Sequence, residues 1–347
     1  MSGPRTLSIA EALREGIAEE MERDESVFCM GEDIGIPGGW GGAFTVTLGL
    51  EERFRDRILD TPISENGFFG AGVGAAIMGM RPIVDLQYAD FVFCAMDQVV
   101  GNAAKMRYMS GGKLTVPLVM RAPVGITGRG AQHAQNPESY FMGTAGLKII
   151  AVSTAYDAKG MLKSAVRDDN PIMMFEHKLL YGSKGARKES GAIDGSSEIP
   201  DKDYTVPIGE AAIRREGTDV TIVAWLLMAH FAQHAADTLA EEGISAEVID
   251  ARTLVPLDFD TIADSVKKTG RLVVVEEGPK RGGIGAEIAA RCGEELAEHL
   301  KAPIRRVAAP NVPPPFSPPM EAFYRPDAAR IANAARASMT QTSPSPS

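Results

Sequence analysis

The sequence is poor in cysteine and contains no pair of cysteines with the CxxC spacing of a zinc or redox site. Of its 347 residues only 3 are cysteines, at Cys29, Cys94 and Cys292. An odd number of widely separated cysteines indicates free thiols in a reducing compartment, and it does not fit a disulfide framework. We therefore expect a cytoplasmic protein with unpaired thiols.

Long apolar runs and excess positive charge are also missing. No apolar run reaches the roughly 18 residues that suggest a membrane-spanning helix, and the N-terminus has no signal-peptide pattern. Lys and Arg number 36 against 46 Asp and Glu, so the formal net charge is −10. This balance argues against an anionic membrane or a nucleic acid as the main partner, and it suits solubility or docking to a basic partner domain.

Several common catalytic motifs do not occur in the sequence. The run of Gly70, Gly72 and Gly74 misses the GxGxxG spacing, and there is no P-loop, HExxH or GxSxG. An NAD-dependent dehydrogenase stays an alternative that tight nicotinamide binding would support. His230 and His234 lie four residues apart on a predicted helix, but without a third ligand nearby the pattern favours ordinary histidines over a metal site.

What the sequence does contain is a regular alternation of apolar strands and helices, which predicts parallel sheets covered on both faces. Residues 1–182 form the first alternating region, residues 183–207 a polar linker, and residues 208–336 a second, smaller region. Residues 337–347 are predicted to be a disordered tail. We therefore predict an α/β protein with two doubly wound domains.

Local patterns predict several details of these domains. Ser8 and Glu11 predict a capping box at the start of the first helix. The small residues of "GFFGAGVGAAIMGM" (Gly70, Ala71, Gly74 and Ala75) predict close helix packing, and "FCAMDQVVGNAAKMRYMSGG" predicts one long amphipathic helix that stops at Gly111. The proline-rich "APNVPPPFSPPMEAFYRPD" is expected to be extended. Trp40 lies in a glycine-dense loop, which predicts a segment folded over a site or an interface.

Four residues of the first region are candidates for chemistry, although each has an ordinary explanation. Glu65, in "DTPISENGFFGAG", could be an acid favoured by a helix N-terminus. Gln87 could satisfy a backbone group, and Phe91 could belong to the core. His133 in "GRGAQHAQ" is the least ordinary, since a glycine-rich loop has little packing need for a histidine.

Many ordered segments of the chain resemble one family. They are "GEDIG", "DTPISENGFFGAGVGAA", "RPIVDLQYADF", "DQVVGNAAKMRYMSGG", "AQHAQ", "DAKGMLKSAVRDDNP", "FEHKLLY", "VPIGEAAIRREGTDVTIVAW", "IDARTLVPLD", "TGRLVVVEE" and "PFSPPMEAFYRPD". Together they resemble the beta subunit of the thiamine-diphosphate-dependent decarboxylase component of 2-oxoacid dehydrogenase complexes. The resemblance implies a pyrimidine-binding α/β domain followed by a transketolase C-terminal-like domain.

The resemblance assigns roles to the four candidates. It implies that Glu65 hydrogen-bonds the pyrimidine N1′ of thiamine diphosphate, that Phe91 stacks on the pyrimidine ring, and that Gln87 faces it. It places His133 near the reacting end of the cofactor and the incoming lipoyl group. It also implies a structural potassium site, mostly of backbone carbonyls, whose matching positions are Leu118, Ala165, Asp168 and Asn170.

The resemblance also implies partners, because the chain has no GDG segment with a downstream NN pair to hold magnesium and the diphosphate. An alpha subunit would supply the Mg²⁺ ligands in an α2β2 heterotetramer, which passes the acyl group to a lipoyl-bearing acyltransferase core. One departure is Leu226, which stands where the family commonly has glycine. The substrate is left open between a 2-oxoacid and acetoin, and a catalytically silent structural subunit is a further alternative.

Overall fold

The structure is a computed structural model of the chain, and it describes residues 5–182 and 192–340. These residues form two compact units. One comprises the described residues among 1–127 and 132–208, and the other comprises those among 128–131 and 209–347. Each unit contains a predominantly parallel sheet with helices, which confirms the predicted α/β class.

The first unit alternates strands and helices along the chain. Its strands are β1 (Arg5–Leu7), β2 (Val27–Gly31), β3 (Ile58–Asp60), β4 (Arg81–Asp85), β5 (Val119–Val124), β6 (Lys148–Val152), β7 (Ile172–His177) and β8 (Ser197–Ile199). Its α-helices are α1 (Ile9–Arg23), α2 (Leu50–Arg53), α3 (Glu65–Ile77), α4 (Ala104–Met109) and α5 (Ala155–Arg167). The predicted capping box is confirmed: the Glu11 amide donates to Ser8 Oγ at 3.3 Å, and the Ser8 amide donates to Glu11 Oε2 at 2.9 Å.

The parallel strands of the first unit lie in the order β6-β7-β5-β4-β2-β3. Strands β2, β5 and β7 are buried along their whole length, as expected for a sheet covered on both faces. Because the strands are parallel, the loops that follow them gather at one edge of the sheet. This is the edge at which ligands bind in open α/β sheets.

Helix α3 packs on this sheet through a single glycine. A side chain at Gly72 would lie 2.8 Å from Val84 Cγ2 of β4, so only glycine permits this approach. The prediction had assigned the close packing to Gly70, Ala71, Gly74 and Ala75. For Gly70 the prediction is confirmed, because a side chain there would lie 3.3 Å from Gln98 Oε1, whereas for Gly74, which faces open space, it was wrong.

The long helix predicted for residues 93–112 is divided into three helical types. Residues Ala89–Ala95 form a 3-10 helix, Asp97–Ala103 a π-helix, and only α4 is α-helical. The Asn102 side chain donates to the Asp97 carbonyl at 3.2 Å, five residues back, which suits the wider π turn. The predicted stop is confirmed, since Gly111 follows the last turn with φ of 66°.

The described part of the predicted linker packs on the first unit. Strand β8 pairs antiparallel with β1, and Ser164 of α5 donates to the Val206 carbonyl at 2.6 Å. The Tyr204 ring stacks on Tyr156 with centroids 4.6 Å apart. Residues 183–191 of the linker lie outside the described residues.

The second unit repeats the alternation on a smaller scale. Its strands are β9 (Ala212–Arg215), β10 (Val220–Ala224), β11 (Ala246–Asp250), β12 (Thr253–Val255), β13 (Leu272–Pro279) and β14 (Arg305–Ala309). Its helices are α6 (Leu227–Glu241), α7 (Phe259–Thr269), α8 (Ile284–Glu295), α9 (Pro318–Tyr324) and α10 (Ala328–Thr340). Its sheet has the order β14-β13-β10-β11-β9, in which only the edge strand β9 is antiparallel to its neighbour.

The C-terminal part of the second unit is more helical than predicted. The proline-rich segment contains α9, which begins with two prolines at positions where a helix needs no amide hydrogen. Residues 337–340 of the predicted tail complete α10, and residues 341–347 lie outside the described residues. Of the helices that the structure describes, none is long and apolar enough to cross a membrane.

Candidate active site

The predicted site residues of the first unit follow neighbouring strands at one edge of the sheet. Gln87 and Phe91 come after β4, His133 lies in the loop after β5, and Glu65 begins α3, the helix that follows β3. The structure therefore brings residues that are up to 68 positions apart in sequence to the edge where parallel sheets bind ligands.

Glu65 is the first residue of α3 and is half-buried. The residue before it, Ser64, makes no side-chain cap to the helix. A carboxylate at this position is favoured by the unpaired amides and the positive end of the helix dipole. It combines partial exposure with a fixed backbone, as a group that must contact a ligand requires.

A second acid, Glu32, lies close enough to Glu65 for the charge of Glu65 to affect the protonation of Glu32. Glu32 follows β2, is 6% exposed, and its Oε1 atom has no hydrogen-bond partner among the described residues. Burial, together with the nearby charges of Glu65, Asp33 and Asp85, raises the pKa of Glu32 to about 7. An unpartnered buried carboxyl that titrates near neutral pH is a signature of a functional site.

The sequence analysis did not single out Glu32 or its neighbour Asp33. Asp33 adopts φ of 57°, a conformation unusual for a residue other than glycine, and its Oδ2 accepts a hydrogen bond from Gln87 Nε2 at 3.1 Å. The signal that could have identified both acids is the "GED" run, which places two carboxylates directly after a buried strand. The structure thus connects Gln87 to Asp33, one of the two acids that follow β2.

Phe91 and His133 are in direct contact. Their ring centroids lie 5.2 Å apart with the planes at 82°, an edge-to-face arrangement. Tyr88 makes a second such contact with His133 at 5.1 Å, and a third with Phe91 at 5.9 Å. The imidazole is therefore held between two aromatic rings, and the sequence analysis did not identify Tyr88.

A buried ionic cluster lies at the ends of β4, β5 and β7. Arg121 is 1% exposed, pairs with Asp85, and donates to both carboxylate oxygens of Glu176 at 2.8 and 2.6 Å. The hydroxyl of Tyr181 donates to Glu176 at 2.5 Å. Burial raises the pKa of Asp85 to about 6, against the opposing effect of the Arg121 charge. This cluster fixes the strand ends from which the loops of the site depart.

The four predicted potassium ligands lie away from these residues, at or near the amino ends of β5 and β7. Arg81 donates to the Asp168 carbonyl at 3.1 Å, and Lys148 pairs with the Asp168 carboxylate at 2.5 Å. The Leu118 carbonyl accepts from the Ile172 amide at 2.8 Å, and the Ala165 carbonyl accepts from the Asp168 amide. Asn170 donates to Asp168 at 2.7 Å. Lys148 thus balances the charge of the Asp168 carboxylate and Arg81 occupies the Asp168 carbonyl, and the potassium ligand set stays a prediction.

The residues of the edge fit the pyrimidine half of thiamine diphosphate but offer no metal site for its diphosphate. An acid at a helix start, an amide and a half-buried aromatic ring suit a flat heterocycle with polar nitrogens. Within residues 5–182 and 192–340 no group of three His, Cys, Asp or Glu side chains could hold a metal ion.

Large apolar side chains near this edge are left uncovered in the isolated chain. Trp40 is 74% exposed, so the burial expected for it does not occur within the chain, and Ile63, two residues before Glu65, is 83% exposed. Side chains of this kind on a soluble unit commonly mark a protein interface.

Comparison with known proteins identifies the family of the chain. Residues 5–184 match the transketolase pyrimidine binding domain, and residues 209–331 match the transketolase C-terminal domain. The beta subunit of acetoin:2,6-dichlorophenolindophenol oxidoreductase of Cupriavidus necator is 48% identical, over 96% of this chain and 98% of that protein. The 2-oxoisovalerate dehydrogenase subunit beta of Bacillus subtilis is 44% identical, over 92% of this chain and 94% of its own.

A further relative and one solved structure complete the comparison. The mitochondrial pyruvate dehydrogenase E1 component subunit beta of Dictyostelium discoideum is 44% identical, over 96% of this chain and 91% of its own. A solved chain described as a split-gene transketolase in an inactive beta4 tetramer shares the fold, with a TM-score of 0.77, 20% identity, and coverage of 97% of this chain and 99% of its own. The chain therefore belongs to the transketolase-like family of E1 beta subunits of 2-oxoacid dehydrogenase complexes, which includes pyruvate, branched-chain and acetoin types.

Proposed function

We propose that this chain is the catalytic beta subunit of a heteromeric, thiamine-diphosphate-dependent 2-oxoacid dehydrogenase. The enzyme would decarboxylate a 2-oxoacid and transfer the acyl group to lipoyl groups of an acyltransferase core. The observation that carries the proposal is the position of Glu65, at the start of α3, where its charge acts on the buried and unpartnered Glu32. A silent structural subunit has no need of a buried carboxyl that titrates near neutral pH.

Each residue of the edge has a definite task in this proposal. Glu65 holds and exchanges a proton at the pyrimidine N1′, and Glu32, with its pKa of about 7, keeps a second exchangeable proton nearby. Phe91 stacks against the pyrimidine ring, and Gln87, oriented by Asp33, contacts its edge. His133 moves a proton or contacts the substrate carboxylate at the reacting end. When bound, thiamine diphosphate would supply a nucleophilic thiazolium carbon for the keto group and a cationic ring that accepts the electrons released with carbon dioxide.

The proposal requires an alpha subunit. It would contribute the Mg²⁺ ligands and the diphosphate site, and it would cover exposed apolar side chains such as Trp40 and Ile63. We propose an α2β2 heterotetramer in the cytoplasm, where the free thiols of Cys29, Cys94 and Cys292 stay reduced. A structural potassium ion at Leu118, Ala165, Asp168 and Asn170 is part of the family proposal and would be tested by the salt dependence of stability.

Acetoin is a second candidate substrate, because a relative of 48% identity is named for acetoin. The decisive experiment is to co-express the chain with its alpha subunit and to supply thiamine diphosphate and Mg²⁺. Dye reduction is then followed in parallel with pyruvate, branched-chain 2-oxoacids and acetoin. Turnover of one of them assigns the substrate class, whereas no turnover by a well-formed heterotetramer would contradict the proposed activity.

The role of Glu65 is tested by Glu65→Gln in the same assembly. We expect the heterotetramer to form and most activity to be lost, because glutamine cannot exchange a proton at N1′. Glu287→Gln is the matched control, since Glu287 is an exposed acid in the first turn of α8. Near-normal turnover of Glu65→Gln would contradict the assigned role.

A further inference from the structure

Lys178 is a buried cation that contacts the loop of His133. It follows β7 in a short 3-10 turn, Lys178–Leu180, and is only 2% exposed. Its ammonium group donates a hydrogen bond to the backbone carbonyl of His133. Burying a lysine carries a large desolvation cost, so its contacts are specific features of the fold.

The same ammonium group also lies against Tyr88. Its nitrogen is 4.8 Å from the centroid of the Tyr88 ring, within the range of a cation–π contact. Tyr88 in turn meets the His133 imidazole edge to face at 5.1 Å. Lys178 therefore contacts the main chain of His133 directly and its side chain through one aromatic ring.

The loop that carries His133 needs such a tether. It starts at Gly125, which has φ of 101°, and is rich in glycine, whose backbone has many accessible conformations. On the far side of His133 the loop is held by Asp90, whose Oδ1 accepts from the Gln135 amide at 3.2 Å and from its side chain at 2.9 Å. Two neighbouring elements thus hold the loop: Lys178 holds His133, and Asp90 holds Gln135.

We propose that Lys178 is a positioning residue for His133 and acts together with Tyr88. This inference rests on the proposed role of His133 in the reaction. Lys178 sets the backbone of the loop, and the ring of Tyr88, held against the ammonium group, sets the plane of the imidazole. Misplacement of a reacting group by about 1 Å can reduce a rate roughly a hundredfold, so a tether of this kind acts on kcat.

The chain offers a matched control for the loss of a buried lysine. Lys159 of α5 is 1% exposed and pairs with Glu15 at 2.5 Å and Glu19 at 2.7 Å on α1. It contacts none of Tyr88, Phe91 or His133 in the described contacts. Lys159→Met therefore removes a buried ammonium group from the same unit without touching the His133 loop.

The experiment compares Lys178→Met, Lys178→Arg and Lys159→Met in the complex with the alpha subunit. We expect Lys178→Met to lower kcat of the lipoyl-dependent reaction about tenfold to a hundredfold, with KM for the substrate little changed. Lys178→Arg should recover most of the rate, because it keeps a donor and a cation. Lys159→Met should lower thermal stability while leaving kcat per folded complex unchanged.

Hydrogen–deuterium exchange supplies a readout that does not depend on turnover. The peptide covering residues 125–137 should exchange several-fold faster in Lys178→Met than in the wild-type chain or in Lys159→Met. If Lys178→Met does not fold, Tyr88→Leu is measured instead, and the same faster exchange with a lower kcat is expected.

The two proposals fail in different ways. An inactive wild-type complex would contradict the proposed function, while selective loosening of residues 125–137 would still support the tether. Unchanged kcat and unchanged exchange in Lys178→Met, in an active wild-type background, would overturn the positioning role. An arginine variant no better than the methionine variant would overturn it as well.

Discussion

The ring of Phe91 and the imidazole of His133 meet edge to face, with centroids 5.2 Å apart and planes at 82°. The two residues follow adjacent parallel strands, β4 and β5, and are 42 positions apart in sequence. If Phe91 stacks on a pyrimidine ring, His133 must lie beside the same ligand. The contact therefore connects Phe91, which is proposed to hold the cofactor, with His133, which is proposed to act on the substrate.

Replacing His133 by alanine should separate two half-reactions. We expect a larger loss in the lipoyl-dependent reaction than in the dye-linked assay, because the imidazole is placed at the end that the lipoyl group reaches. The measurement is kcat for both assays with the same enzyme preparation. Equal losses in the two assays would argue against a role near the lipoyl arm.

Glu32→Gln should change how stability depends on pH. The pKa of Glu32 is raised from 4.5 to about 7 in the folded chain. Between these values the folded state keeps a proton that the unfolded state releases, so the contribution of Glu32 to stability falls as pH rises through this window. Glutamine carries no titrating group, and the variant should gain stability relative to wild type by about 2–3 kcal/mol from pH ~5 to pH ~8.

Chemical denaturation of the purified chain at several pH values measures this difference. The exposed Glu287→Gln serves as control and should leave the pH dependence of the unfolding free energy unchanged. A constant difference between Glu32→Gln and wild type across the pH range would show that Glu32 does not titrate there.

The sequence was sufficient for the general alternation of strands and helices but not for contacts between distant segments. The capping box of Ser8 and Glu11 depends on residues three apart, so it was predictable from spacing alone. The choice of Gly72 over Gly74 as the packing residue depends on the position of Val84, which follows only from the sheet. The π-helix of residues 97–103 depends on a side-chain bond that helical periodicity cannot show.

The same distinction applies to the site. Glu65, Gln87, Phe91 and His133 were identified because their motifs resemble a family, whereas Glu32 gains its raised pKa from burial and from three neighbouring acids. Two of those acids, Glu65 and Asp85, are distant in sequence. Electrostatic coupling of this kind is a property of the folded chain, so no local pattern could predict it.

Arg121→Met should be strongly destabilising. The substitution leaves Asp85 and Glu176, both buried, without their shared cation, and breaking a buried ion pair costs about 3–5 kcal/mol. Urea unfolding of the purified chain measures the loss. Adding Glu176→Gln to Arg121→Met should recover part of it, since one uncompensated charge is removed. The exposed pair of Arg336 and Glu242 provides a control, and Arg336→Met should have a much smaller effect.

At Leu226 we expect the glycine variant to be more stable than the alanine variant, which is the reverse of the usual order. It precedes α6 with φ of 52° and ψ of −136°, a conformation that glycine adopts with little strain and other residues do not. Its side chain is buried, so Leu226→Ala and Leu226→Gly both lose apolar packing. The glycine variant also relieves the backbone strain, and we expect it to be more stable than the alanine variant by about 1 kcal/mol.

Leu227, the first residue of α6, is the control. Here the order of stability should be the normal one, with the alanine variant more stable than the glycine variant by roughly 0.5–1 kcal/mol. Urea unfolding measures the free energy of unfolding of the four variants. A more stable alanine variant at both positions would show that the backbone of Leu226 carries no strain.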